Sequence, residues 1–450
     1  MIHHPDQPDQ RSSKRRWARR LAAGAAVVTL AAVSLTPHTA KAQTPKASVV
    51  ELTAETWVPN MNTSVDLFNK THPGIHVNWR KVVAGGLGTY ANFSNAIKAN
   101  STPDIGQIEY QFLPTFEAQN GLLDLAPYGA AAYKNDFVPW TWSQSTLGNQ
   151  IFAIPQDTGP EGMYYRADLF KKYNIAVPTT WAQYAAAALK LHKANKNLYI
   201  TDFAPKDPGW FIGMMWQHGA HPFGISGQSW KIALNDANGK AVAQYWQTLL
   251  DQKLVKTDPD FSDPWNRDLQ TGAAATWISA VWGANTIPAS APKTSGDWRA
   301  APMPLWDKNT VSYGNWGGST TVVFKDSKHP KEAAEFAEWL NTNTQSVQLM
   351  IDPVKGTALY PALKSVLDSS SVNQPVAFYG NQVVNKVFGQ ASQHVNLSFQ
   401  WGPTMDQVFT DMGDQFSNAV NGKTTLPAAM DALQASTVSH MKKLGFSVTQ

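Results

Sequence analysis

Tryptophans and carboxylates are the residues of this 450-residue chain whose types and placement could do chemistry. There are 18 Trp and 13 Tyr, and many sit beside Gly, Pro or Asn. Trp57, Trp210, Trp282, Trp316 and Trp401 fall in stretches that read as loops. A sugar ring offers an apolar C–H face that stacks on an indole, and hydroxyls that need carboxylate and amide partners. Loop tryptophans beside acids meet both needs. Trp79, Trp181, Trp246 and Trp339 lie instead on strand or helix patterns and are expected in the core.

Five acids, Glu51, Glu55, Glu109, Asp157 and Glu161, could include the acid and nucleophile of glycoside cleavage; their separation in the fold decides that chemistry. Other chemistries find less support. His218 and His221 lie three apart near Gly219, and His72 and His76 flank the Pro73-Gly74 turn without a nearby Asp or Glu, so no metal site is expected. Gly85-Gly86-Leu87-Gly88 lacks the lysine of a phosphate loop, and Gly224-Ile225-Ser226-Gly227 lacks the spacing of a nucleophile elbow. The chain has no cysteine, which excludes disulfides, thiolate metal sites, a cysteine nucleophile and lipidation at a cysteine. No cofactor is expected.

The elements that must position these residues are legible in outline. Residues 48–52 read as a strand, 62–70 as a helix with Val65 and Phe68 on one face, and 75–79 as an alternating strand. After the Gly85–Gly88 turn, Tyr90, Phe93 and Ile97 mark a second helix, and 105–108 a third strand. Strand, helix, strand, helix, strand implies parallel β-α-β units in a doubly wound α/β sheet. Ligands in such sheets bind at the carboxyl ends of strands, which favours Trp57 and the run Glu109, Tyr110, Gln111. Further on, Thr180 and Gln183 are spaced as a capping box before an Ala- and Leu-rich helix over 181–193. Helices over 240–251 and 331–340, and short buried strands at 277–278, 300–303 and 320–324, complete the outline.

Length and composition fit two or three globular domains: 43% of residues are hydrophobic and 16% charged. Residues 1–42 stand apart. Lys14, Arg15, Arg16, Arg19 and Arg20 precede the apolar run 21–35, and Ala40-Lys41-Ala42 provides a small-x-small site, the pattern of a secretory leader cleaved after Ala42. The run falls short of the roughly 18 to 20 residues of a spanning helix. The leader holds seven Lys and Arg against two Asp and Glu, so its removal leaves 30 basic and 31 acidic residues. The excess positive charge belongs to the leader, and no nucleic-acid or anionic-membrane partner is implied.

An ordered series of motifs carries a resemblance. It runs through Phe68-Asn69-Lys70-Thr71-His72-Pro73-Gly74-Ile75, Thr102-Pro103-Asp104-Ile105, Gly121-Leu122-Leu123-Asp124-Leu125 and Ile154-Pro155-Gln156-Asp157-Thr158-Gly159-Pro160. Tyr165-Arg166-Ala167-Asp168-Leu169-Phe170, Pro178-Thr179-Thr180-Trp181, Met303-Pro304 and Gly317-Gly318-Ser319 follow. Across nearly all of residues 48–450 the chain thereby resembles the carbohydrate-type extracellular solute-binding proteins of ABC importers, the maltose-binding-protein-like superfamily.

The resemblance implies a periplasmic-binding-protein-like fold: two doubly wound α/β lobes joined by hinge segments, with the ligand cleft between them. The lobes would be 43–157 with 305–350, and 158–304 with 351–450, with crossings near 156–158, 304 and 350–353. Carried over, ligand contacts fall to Glu109, Tyr110, Gln111, Asp157, Asp207, Trp210, Trp282, Trp316, Gly317 and Gly318, with Trp57 and Trp401 added as loop tryptophans. The implied function is capture of a mono- or oligosaccharide by lobe closure and its delivery to membrane permease subunits, by a monomer that is not an enzyme. Lack of a lipobox cysteine favours a periplasmic or secreted protein. A secreted glycoside hydrolase is the alternative, as is a binding protein for another polar solute; the latter would want an arginine grip such as Arg80, Arg267 or Arg299 could supply, since Arg166 lies in the Tyr-Arg-x-Asp motif.

Overall fold

Hydrophobic alternation, and its loss, decides where each strand sits. The computed structural model describes residues 48–58, 60–352 and 359–450; the leader and its cleavage site lie outside them. Strand Ile75–Lys81 buries Ile75 and Val77 and exposes the residues between, as an edge strand with one wet face does. Ile105–Glu109 and Ser319–Val323 are buried almost throughout and occupy the middle of a five-stranded sheet. Its order is Ile75–Lys81, Val50–Thr56, Ile105–Glu109, Ser319–Val323, Ile154–Pro155. The first three strands are parallel, with Val50 opposite Ile75 and Ala54 opposite Ile105. Ser319–Val323 returns from late in the chain and enters antiparallel.

Helices Asn62–Thr71 and Thr89–Ala99 make the crossovers of this first lobe. Phe68 meets Phe336 of helix Pro330–Thr342 edge-on at 4.9 Å, and Phe93 meets Phe324 at 4.9 Å. The late return thus contributes both a strand and a helix to the first lobe's core.

In the second lobe, strand Glu161–Arg166 lies between Thr276–Ala280 and Trp298–Pro302 and is antiparallel to both. Parallel pairing in this lobe includes the single bridges Tyr199 to Ala274, Asp202 to Lys256 and Thr180 to Leu305, and the pairing of Val448–Thr449 with Ser229–Ile232. The parallel β-α-β units read from the sequence belong to the first lobe, whereas this three-stranded sheet is antiparallel. Its neighbouring strands arrive after several helices, and a long excursion does not impose the parallel sense that one crossover helix does.

Helix Trp181–Ala194 begins where its cap predicts: the Gln183 N–H donates to Thr180 Oγ1 at 3.2 Å. The reciprocal arm differs, because Gln183 Oε1 accepts from the Thr179 N–H at 2.8 Å. Trp181 and Trp246 are fully buried, as expected, and Trp181 Nε1 donates to Gln217 Oε1 at 3.0 Å. Burying one such indole removes on the order of 200 Å² from water, about 5 kcal/mol of transfer free energy.

The lobes are linked by segments lying side by side. Residues 156–160 join Ile154–Pro155 to Glu161–Arg166. The crossing expected near Pro304 lies later: Leu305 pairs with Thr180 and Tyr313 with Val395, which keeps the chain on the second lobe until residues 315–318. Near the third link, residues 353–358 lie outside the description. Where it resumes, Tyr360 O accepts from the Thr158 N–H at 2.8 Å and the Ala362 N–H donates to Gln156 O at 3.1 Å. No helix among the described residues is long and apolar enough to cross a membrane.

Candidate functional site

Strand ends and crossing segments bring the candidate residues together. Glu109 ends strand Ile105–Glu109, and Asp157 lies in the first crossing. Asp207 precedes helix Gly209–His218, whose Gly209 N–H it accepts at 3.2 Å. Trp282 follows strand Thr276–Ala280, and Trp316 sits in the second crossing.

The crossings meet backbone to backbone. The Trp316 N–H donates to Gly159 O at 2.8 Å, and the Gly159 N–H to Asn315 Oδ1 at 2.9 Å. Asn315 Nδ2 donates to Gly317 O at 2.7 Å, and the Ser319 N–H to Asp157 Oδ1 at 2.7 Å. Trp282 Nε1 donates to Trp316 O at 3.0 Å, and the two indoles stand edge to face at 4.6 Å. Gly317 and Gly318, at φ +81° and +86°, permit this turn; a side chain on Gly318 would press on Asp157 O and the Tyr110 ring.

The carboxylates share one electrostatic environment. Burial pushes Glu109 up to about 7, against the pull of hydrogen bonds from Tyr90 and Gln111, and the Asp207 charge raises it further. Burial likewise pushes Asp157 up to about 7, offset by the Ser319 N–H and reinforced by Glu109. Burial raises Asp207 to about 6, and raises Asp260 to about 8 with Asp207 adding its charge. Each keeps a partly exposed edge. Acids from the strand end, the crossing and the segment before helix Gly209–His218 therefore lie close enough to raise one another.

This arrangement sets a pH dependence. A carboxyl raised in the folded state contributes stability that is fully present below its unfolded value of about 4 and is lost as pH rises through about 7. The ligand-free protein is expected to melt at a higher temperature at pH 5 than at pH 8, and Glu109→Gln combined with Asp157→Asn to narrow that gap. An equal gap in the double variant, by calorimetric melting, would show that these groups are solvated.

Several expected contacts are placed elsewhere. Trp210 is not a loop residue: it lies inside helix Gly209–His218, 4% exposed, with Nε1 donating to Ala204 O at 3.2 Å and Trp246 edge-on at 5.0 Å. Trp401 is buried against Phe399 and lines a groove of about 330 Å³ with Leu113, Ser143 and Leu397, away from the acids. Tyr110 is fully buried and its hydroxyl donates to Asp157 O at 3.2 Å, so it braces the hinge. Gln111 is buried beside it. Half-buried Trp57 stands edge-on to Tyr90 at 5.7 Å.

Other participants escaped the sequence reading. Tyr90 donates its hydroxyl to Glu109 Oε2 at 3.0 Å and accepts the Glu109 N–H. Its helical periodicity marked it as core. Phe261, half exposed at φ +60°, holds its ring 6.2 Å from Trp282. An aromatic residue in that backbone region is strained, a signal that only coordinates carry. Phe112 and Phe409, remote in sequence, meet at 5.9 Å.

The family model for bacterial extracellular solute-binding proteins matches residues 45–346. The chain belongs to that family. Among its relatives is an arabinooligosaccharide-binding protein of Bacillus subtilis, 24% identical over 60% of this chain and 63% of that protein. A lactose-binding protein of Rhizobium radiobacter is 24% identical over 74% of this chain and 80% of its own length. Two solved structures at 28% identity cover 90% of this solute-binding protein and all of their own chains. One is the galacto-N-biose-/lacto-N-biose I-binding protein of the ABC transporter from Bifidobacterium longum, in complex with lacto-N-biose, at a TM-score of 0.79. The other is the ABC transporter associated binding protein of B. animalis subsp. lactis, in complex with β-1,6-galactobiose, at 0.75. The chain shares the fold of these binding proteins, two α/β lobes, and belongs to a family of extracellular, exported proteins.

Proposed function

We propose that this solute-binding protein captures a mono- or oligosaccharide between its lobes and delivers it to the permease subunits of an ABC importer, acting as a monomer freed of its leader by cleavage after Ala42. One observation supports the reading: Glu109 feels the charge of Asp207 and Asp157 that of Glu109, and Trp316, edge to face with Trp282, lies beside Asp207 at Gly209. Acceptors for hydroxyls beside aromatic faces are what a pyranose requires. Glu109, Asp157, Asp207, Trp282, Trp316 and Trp57 are the proposed contacts, with Gly317 and Gly318 shaping the loop. The relatives that bind lacto-N-biose, galactobiose and lactose support a short saccharide as the ligand.

Binding without catalysis is expected, since a binding protein must release its ligand intact. The test is a panel of mono- and oligosaccharides incubated with the mature protein, followed by melting temperature and by reducing ends. A sugar that binds the folded protein raises the melting temperature by mass action, with no reducing ends released. If no sugar shifts the melt while a non-sugar polar solute does, the carbohydrate assignment fails. Sustained hydrolysis that Glu109→Gln abolishes would make the protein a glycosidase.

A further inference from the structure

Behind the cleft, three stretches of the second lobe converge on a cluster of acids that ligand capture does not use. Asp202 and Lys256 are neighbours in a two-chain bridge, with the Phe203 N–H donating to Lys256 O at 2.8 Å and the Lys256 N–H to Thr201 O at 3.0 Å. Asp258 follows two residues on, and Asp268 projects from helix Asp263–Thr271. Carboxylate oxygens of Asp202, Asp258 and Asp268 all lie within 4.8 Å of one another.

Asp202 shows what the cluster lacks. It is 8% exposed, and neither of its oxygens has a well-formed hydrogen bond from a described residue, so that the Asp258 backbone and the Lys256 charge only partly offset its burial. The Lys256 ammonium serves the other two acids, donating to Asp268 and lying 2.7 Å from Asp258. Three carboxyl groups share one ammonium in a partly dehydrated place, and a buried carboxylate short of donors is strongly disfavoured. Asp202 also faces a cavity of about 10 Å³ lined by Trp210, Trp246, Trp265 and Trp277. That is room for one water at most, and a water is the plain alternative occupant.

We propose that Asp202, Asp258 and Asp268 bind a divalent cation of the hard, oxygen-preferring class, Ca²⁺ or Mg²⁺. The donor set contains only oxygen, with no histidine or thiolate to favour zinc or copper. A divalent ion gives the Asp202 carboxylate its partner. Lys256 competes for the same oxygens and must swing outward as the ion enters. The ion then ties the segment before helix Gly209–His218 to helix Asp263–Thr271, bracing the loop that carries Asp260 and Phe261. No motif shows it in the sequence, because Asp202 lies far from Asp258 and Asp268.

The test uses the whole mature protein, stripped with a chelator and titrated with CaCl₂ and MgCl₂ by calorimetry. Tb³⁺ titration with tryptophan excitation is the second readout, since four indoles line the cavity that Asp202 borders. Saturable binding of one ion with a raised melting temperature is expected. Asp202→Asn should abolish it, and Lys256→Gln should tighten it by about tenfold by removing the competing ammonium. Absence of both heat and sensitised emission in wild type and in Lys256→Gln overturns the proposal. So does binding that Asp202→Asn leaves unchanged, which means an ion held elsewhere and a water at Asp202.

Discussion

Replacing Gly159 with Ala is expected to destabilise the protein by about 3 kcal/mol, the upper range for overpacking, and to abolish tight ligand binding. At this position the two crossing segments are in backbone contact through the Trp316 N–H to Gly159 O bond. A Cβ on Gly159 would overlap the Trp316 carbonyl oxygen, which belongs to the main chain and has no rotamer by which to move aside. The segments must part, and Asn315, which holds both Gly159 and Gly317, loses one partner or the other. Because the same segments present Asp157 and Trp316, the site loses its geometry along with the hinge. Gly224→Ala is the control: a Cβ there meets nothing within 4 Å, so its stability should match wild type. Denaturant midpoints separate the outcomes, and a Gly159→Ala protein as stable as the control would show that the crossings are not in close contact.

Local pattern made the first lobe legible, and long-range return hid the rest. Alternation at Ile75 and Val77 and the periodicity of Val65 and Phe68 are properties of neighbours in sequence, so strand and helix could be assigned and the parallel winding inferred. The second lobe's antiparallel partners for Glu161–Arg166 arrive more remotely, where no short-range signal records direction. The acids follow the same division. Strand-end logic found Glu109, while Asp260 became visible only through its coupling to Asp207 in space.

Trp210 shows why an aromatic next to Gly is ambiguous. Gly209 reads as a turn, yet it opens a helix, where its lack of a side chain makes room for the Trp316 indole and Asp207. The glycine marks close approach, and the neighbouring indole turns inward. The Pro304 crossing was displaced for a related reason, since Leu305 has a bridge partner, Thr180, far away in sequence.

Trp316→Ala and Trp282→Ala are each expected to weaken sugar affinity by about 1 to 3 kcal/mol, roughly 5- to 150-fold, while Trp210→Ala acts on stability. Trp282 is half-buried, and Trp316, 8% exposed, sits with its indole nitrogen against Gly209 and near the Asp207 carboxylate. Trp282 thus keeps a partly exposed face, and opening of the lobes is expected to uncover that of Trp316. Trp210 is sealed among Phe203, Phe211 and Trp246, so its truncation leaves a cavity costing about 3 to 5 kcal/mol of folding free energy. Calorimetry with a sugar found in the panel reads affinity, and thermal melting reads stability. Scattering adds the conformational arm, because a ligand that prefers the closed form shifts the population towards it, and the radius of gyration falls on binding. In Trp316→Ala that fall should need a higher sugar concentration, in step with the weakened affinity. If both indole variants bind as wild type does, the aromatic pair belongs to the core of the hinge and the sugar must lie elsewhere, along the groove that Trp401 and Leu397 line.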